Sequence, residues 1–182
     1  MPTIIILIAI IISLLLWQFF FEGKTNIELP ESFNITHHKI YPISKSELFN
    51  KISQNERGRP IFLYFYADWC KICQKQFPII NEIARIFQNT DLTFIAVSAN
   101  LNSDPENLAS YLDNHHNIYF KPYYLTDPQE LQTFMQEVFL VKYEGLMPFM
   151  TLFNKFGESG NLMTGFKNKS KIKKELMKLI QI

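Results

Sequence analysis

The chain is short of cysteine, of net charge and of repetition. Of its 182 residues only two are cysteines, Cys70 and Cys73. With no second cysteine pair, and no histidine at finger spacing, a structural zinc site lacks ligands. The formal net charge is +1. No basic run is interleaved with aromatic residues, which excludes the electrostatic footprint of a nucleic-acid binder. No internal repeat is present, and no low-complexity segment apart from an apolar stretch at the N-terminus.

The two cysteines lie in Trp69-Cys70-Lys71-Ile72-Cys73. Pro60 to Tyr66 precedes them as an apolar and aromatic run with the character of a buried strand. Behind them Phe77, Ile80, Ile83, Ala84 and Phe87 recur at helical spacing. A CxxC between a strand and a helix predicts a redox-active dithiol closing a small ring across the first helical turn. A sulfur at a helix N-terminus meets the positive end of the dipole and unpaired backbone N–H groups, which favour the thiolate. Cys70 occupies that place, and Lys71 adds a positive charge beside it. Cys73, one turn inside, is expected to be more buried. Cys70 is therefore the expected nucleophile and Cys73 the resolving thiol that attacks the mixed disulfide. Trp69 offers a flat apolar cover beside the sulfur; it also reads as a core tryptophan at the strand end, and both can hold.

Thr3 to Phe21 is nearly all apolar, broken only by Ser13 and Gln18. At about 1.5 Å per residue it just spans a hydrocarbon core of roughly 30 Å. Trp17 and Phe19-Phe20-Phe21 suit an interface. A cleaved signal peptide is the alternative, but the run is long and no small-x-small cleavage site follows. Residues 1–22 are expected to be a transmembrane signal anchor, 23–42 a tether ending in a short strand, and 43–182 one α/β domain with one core. No Lys or Arg precedes the span, so charge counting does not orient it. A domain carrying only its two active cysteines suits an oxidising, extracytoplasmic compartment.

Helix starts are legible. Ser44-Lys45-Ser46-Glu47 is a capping box ahead of Leu48, Phe49 and Ile52. Asp104-Pro105 and Asp127-Pro128 each set an N-cap before a proline at the first helical position. Lys167 to Ile182 closes the chain as a helix. Strands are expected over Leu92–Val97, around Tyr119–Leu125 and over Phe149–Phe153. A turn at Phe156–Gly160 leads to a hairpin partner, Asn161 to Phe166. Alternating strands and helices with a terminal hairpin imply a mixed sheet.

This order of parts resembles the thioredoxin superfamily from about Ser44 onward. The Trp-Cys-x-x-Cys motif follows a hydrophobic strand. Pro78 stands in the active-site helix, where a kinking proline is usual. Met147-Pro148 resembles the cis-proline loop that faces the dithiol, and Gly165 matches a glycine usual after the hairpin. The added helix and strand between Asp104 and Leu125 are similar to the insertion of the TlpA/ResA-like branch. The run Tyr66-Ala67-Asp68-Trp69-Cys70 is also similar to the C-terminal domain of the DsbD family. The resemblance implies a thioredoxin-like mixed sheet flanked by helices, behind a transmembrane helix. It implies a bacterial inner-membrane thiol–disulfide oxidoreductase facing the periplasm, mostly acting as a reductase. Its partners would be cysteine-containing protein substrates and a membrane electron donor or acceptor. No cofactor beyond the Cys70–Cys73 disulfide and no metal is implied. Trp69, Lys71, Met147 and Pro148 would support the dithiol or bind substrate.

The chain departs from that pattern at two places. Thioredoxins carry an Asp beneath the second cysteine, where this chain has Tyr64. Many TlpA-like proteins carry a Glu two residues before the helix proline, where this chain has Gln76. Tyr64, Lys75, Glu144 or a water would have to serve as proton carrier for Cys73 instead. Three other readings stand beside the reductase. One is an oxidase or isomerase donating its disulfide, toward which Lys71 points. Another is a copper-handling module drawing on His115-His116, His37-His38 or the soft ligand Met147. The last is a binding module without turnover.

Overall fold

The computed structural model describes residues 38–53, 58–99, 105–115 and 117–180. The expected span and most of the tether, Asp104, His37 and His116 lie outside these. Among the described residues no helix is long and apolar enough to cross a membrane.

The strand expected at the end of the tether is β1, Tyr41–Ile43. It is followed by α1 (Lys45–Ser53), β2 (Ile61–Tyr66), α2 (Lys71–Phe87), β3 (Thr93–Ser98), α3 (Pro105–Asp113) and β4 (Lys121–Leu125). Then come α4 (Glu130–Phe139), β5 (Phe149–Phe153), β6 (Met163–Thr164) and α5 (Lys169–Ile180). One mixed sheet runs β1-β4-β3-β2-β5-β6. The first four strands in that order pair in parallel, and β5 and β6 join antiparallel. Pro60–Tyr66 reads as continuously apolar because β2 is central and covered on both faces, with all six strand residues buried.

Side chains alternate across β2, so two cores form. Phe62, Tyr64 and Tyr66 join Cys70, Cys73, Phe77, Leu108, Ile172 and Leu176 under α2, α3 and α5. Ile61, Leu63 and Phe65 join Leu48, Ile52, Leu131 and Phe134 under α1 and α4. The dithiol sits at the carboxyl end of β2, where the chain leaves the sheet for α2.

The capping box forms as read: the Glu47 N–H donates to Ser44 Oγ at 3.2 Å and the Ser44 N–H to Glu47 Oε2 at 2.8 Å. The helix expected from Pro105 starts there, whereas at Asp127-Pro128 the helix begins later, at Glu130. Asp127 Oδ1 accepts the Gln129 N–H at 2.9 Å, and a tight turn fills the gap. The last helix starts at Lys169, two residues later than expected. There Asn168 caps it through its Oδ1, which accepts the Lys171 N–H at 2.8 Å. The hairpin partner of β5 is reduced to Met163–Thr164. It ends at Gly165, whose φ of +68° is the left-handed region where a Cβ is strained.

Candidate active site

Cys70 is the N-cap residue of α2, with the extended backbone (φ −79°, ψ 104°) such a position takes. Its Sγ stands where a serine or aspartate oxygen would, and the Cys73 N–H donates to it at 3.1 Å. The Gln74 N–H donates to the Cys70 carbonyl at 3.0 Å, starting the helical ladder. The two sulfurs are joined as a disulfide. Cys73 is fully buried and Cys70 is 7% exposed, so of the two only Cys70 keeps any contact with solvent.

The approach to α2 is held from several sides. The Cys70 N–H donates to the Ala67 carbonyl at 3.2 Å. Asp68 Oδ1 accepts the Trp69 N–H at 2.7 Å, and Gln74 Nε2 donates to the Asp68 carbonyl at 2.8 Å. Trp69 is 61% exposed, so it is not a core tryptophan; it stands at the surface beside Cys70 in the chain. Lys71 is exposed.

Met147-Pro148 lies immediately before β5, which pairs antiparallel with β2, and that pairing brings the loop to the dithiol end of the sheet. Its peptide bond is cis, as the resemblance implied. The Pro148 carbonyl accepts the Gly165 N–H at 2.8 Å, fastening the loop to the end of β6. Met147 is half-buried, packs against both cores, and spans the top of the sheet. Trp69 and Met147, with Pro128, Leu131, Tyr143 and Gly145, line a cavity of about 450 Å³ beside the dithiol. Ile72 and Leu146 add exposed apolar surface on the dithiol's own two segments. Ile72 lies inside the Cys-x-x-Cys motif and Leu146 one residue before Met147-Pro148, so their size and apolar character were the available signal.

Neither departure from the family pattern is neutral. Gln76 is fully buried, and its Oε1 accepts the Lys167 backbone N–H at 2.7 Å, linking α2 to the approach of α5. Tyr64 lies fully buried in the core that holds Cys73. Burial pushes its phenol well above the usual tyrosine range, and the neighbouring Tyr111 and Tyr66 add to this. Lys75 and Glu144 are both exposed.

The described histidines are engaged elsewhere. His38 Nδ1 pairs with Asp113 Oδ1 at 2.9 Å. The His115 ring lies 4.3 Å from Phe77 and 5.4 Å from Tyr111, its proton affinity lowered by burial and by His38. Among the described residues no group of three His, Cys, Asp or Glu side chains is placed to hold a metal ion.

Residues 58–159 match the profile of a family described as thioredoxin-like. Thiol-disulfide oxidoreductase ResA of Geobacillus thermodenitrificans is 29% identical over 121 residues, covering 66% of this chain and 63% of that relative's length. The chain is similar in fold to a thiol:disulfide interchange protein of the thioredoxin family from Chlorobium tepidum. The TM-score is 0.58 at 17% identity, over 70% of this chain and 84% of that one. StoA from Bacillus subtilis is similar with a TM-score of 0.52 at 19% identity, over 65% and 83% of the two chains.

Proposed function

The chain belongs to the thioredoxin-like family, and from that premise we propose that it is a membrane-anchored thiol–disulfide oxidoreductase that reduces disulfides of extracytoplasmic proteins. The observation that carries the thiol–disulfide chemistry is Cys70 at the N-cap of α2, its sulfur accepting a backbone N–H, at the end of the sheet where the cis-proline loop lies; the reducing direction is drawn from the apolar run over residues 3–21 and the likeness to ResA. In the reduced form that N–H and the helix dipole stabilise a Cys70 thiolate. The thiolate attacks one sulfur of a substrate disulfide, and the other leaves as a thiolate. Cys73 loses its proton and attacks Cys70 Sγ, expelling the reduced substrate and leaving Cys70–Cys73 oxidised. Two electrons and two protons from a membrane donor restore the dithiol.

An extended substrate segment docks along the backbone beside Pro148, with Trp69 and Met147 flanking its sulfur and the cavity behind them taking a neighbouring side chain. The apolar run over residues 3–21 supports a single-pass anchor in the bacterial cytoplasmic membrane, with the dithiol on the extracytoplasmic side.

One observation favours the opposite electron flow. The Cys73 N–H that steadies the thiolate stabilises the reduced form, and that makes a disulfide a stronger oxidant. The equilibrium reduction potential of the full chain, in glutathione and dithiothreitol buffers, separates the two. A value near or below about −250 mV supports the reductase, and one near −120 mV makes the chain a disulfide donor. Cys73→Ser is expected to accumulate mixed disulfides in cells, and Cys70→Ser to abolish exchange. If Cys70→Ser retains exchange, the assignment of roles is wrong.

A further inference from the structure

The outer edge of the sheet gathers positive charge without ion pairs. β1 is the edge strand there, beside β4. Tyr41 and Tyr123 pair in register across the two, their rings 6.1 Å apart. Three ammonium groups converge on these rings. Lys121 Nζ lies 3.8 Å from the centre of Tyr41 and 5.2 Å from that of Tyr123. Lys39 Nζ lies 5.2 Å from Tyr41, and Lys51 Nζ, from the last turn of α1, 5.8 Å from Tyr123. All of these fall within the roughly 6 Å of a cation–π contact. The three lysines are exposed. Lys45, Lys169 and Lys178 each meet a carboxylate, but among the described residues Lys39, Lys51 and Lys121 form no such pair. Glu47, one turn before Lys51, feels its charge but is held by Ser44, and Asp113 is engaged by His38.

We propose that, given the anchor inferred above, this corner of the domain docks on anionic lipid head groups of the bilayer that holds the chain. The rings fix the ammonium groups without neutralising them, so their N–H donors stay free for phosphate oxygens. Lysines also guard an edge strand against pairing, but that role needs neither three charges nor two rings. Tyrosine itself suits the polar–apolar boundary of a bilayer. The patch also stands where the chain arrives: Lys39 follows Phe21, the end of the apolar run, by eighteen residues. At no more than about 3.6 Å per residue, that chain reaches about 65 Å at most. The connection keeps the patch at high effective concentration near the surface, so contacts too weak to bind a free protein suffice.

Docking at this edge leaves the dithiol open. β4 and β3 separate β1 from β2, so about 14 Å of sheet lies between the patch and the strand that leads to Cys70. The patch and the cavity beside Trp69 and Met147 share no residue. One face is thus presented to lipid while another stays available to protein substrates. Contacts between ammonium and phosphate are screened over about 8 Å at physiological salt, which makes the docking salt-sensitive where an inserted span is not.

The test is hydrogen exchange read by mass spectrometry on the full chain, reconstituted in vesicles of phosphatidylcholine alone or with an equal part of phosphatidylglycerol. Amides of residues 39–43 and 121–125 are expected to exchange about fivefold more slowly in the anionic vesicles, and about 0.5 M salt should cancel the difference. Replacing Lys39, Lys51 and Lys121 together by Gln should abolish it. Lys45→Gln, whose ammonium is paired with Glu137, should keep it. If the triple variant misfolds, Lys121→Gln alone removes the ammonium shared by both rings and reads the same loss. Reaction of Cys70 with Ellman's reagent in detergent should match wild type in every variant. Equal exchange in the two vesicles overturns the docking, as does protection that survives the triple substitution. Protection reproduced in phosphatidylcholine by added inorganic phosphate makes the patch a small-anion site and overturns it too. Flotation separates these results from failure of the anchor. A chain that floats with both vesicles but shows no protection keeps the anchor and loses the docking. One that floats with the anionic vesicles alone keeps the docking and loses the anchor, and one that floats with neither loses both.

Discussion

Phe77→Ala is the sharpest test of how the active-site helix is held. Phe77 is fully buried one turn after Cys73. Four rings rest on it: His115 at 4.3 Å, Tyr111 at 5.4 Å, Phe120 at 5.6 Å and Tyr66 at 5.7 Å. Truncating a buried phenylalanine costs about 3–5 kcal/mol, and the figure rises with the volume of the cavity that stays open. These neighbours come from β2, α3 and the segment before β4, each fixed by its own packing, so the hole cannot close. The expected loss is therefore about 4 kcal/mol, out of the roughly 5–15 kcal/mol that holds a domain folded. Urea unfolding of the reduced chain, followed by circular dichroism, reads it directly. With a slope of about 2 kcal/mol per molar urea, the midpoint should fall by about 2 M. A loss below about 1.5 kcal/mol at unchanged slope would mean that the ring cluster does not support α2.

Stability should also respond to pH on both sides of neutrality. His115 binds its proton less readily in the fold than in the unfolded chain, because of burial and then His38. Its contribution is complete above the unfolded value of about 6.5 and is lost as pH falls through it, so the urea midpoint should drop on acidification, less so in His115→Gln. Tyr64, Tyr66 and Tyr111 hold their protons more tightly in the fold. Their contribution is present below about pH 10 and is lost above it, so alkaline unfolding should be blunted in Tyr66→Phe. Ser44→Ala removes the Oγ that accepts the Glu47 N–H and should cost about 1 kcal/mol, read as a lower midpoint at pH 7.

What the sequence determined by itself was local. The continuous apolar run of β2 announced a central strand, because a strand buried on both faces needs no polar positions. Cys70 and Cys73, three residues apart, fall on one turn wherever a helix follows, and the helical spacing of Phe77, Ile80, Ile83, Ala84 and Phe87 behind them placed a sulfur at the helix start. The capping box at Ser44 and Glu47 closes within four residues and formed as read. The alternation Tyr64-Phe65-Tyr66 already put both tyrosines on one face of β2, although sequence reasoning weighed Tyr64 alone.

The tertiary structure decided everything that depends on residues far apart in the chain. Gln76 has no local signature of its tie to Lys167, which is 91 residues away, nor His38 of its bond to Asp113 across 75. The exposure of Trp69 follows from how Asp68 and Gln74 hold the turn before α2, not from its hydrophobicity. The contact of Tyr111 with Tyr66 required α3 to pack over β2. A contact between distant residues exists only once separate elements meet. For that reason the dithiol was legible in the sequence and the distant contacts that hold the helix behind it were not.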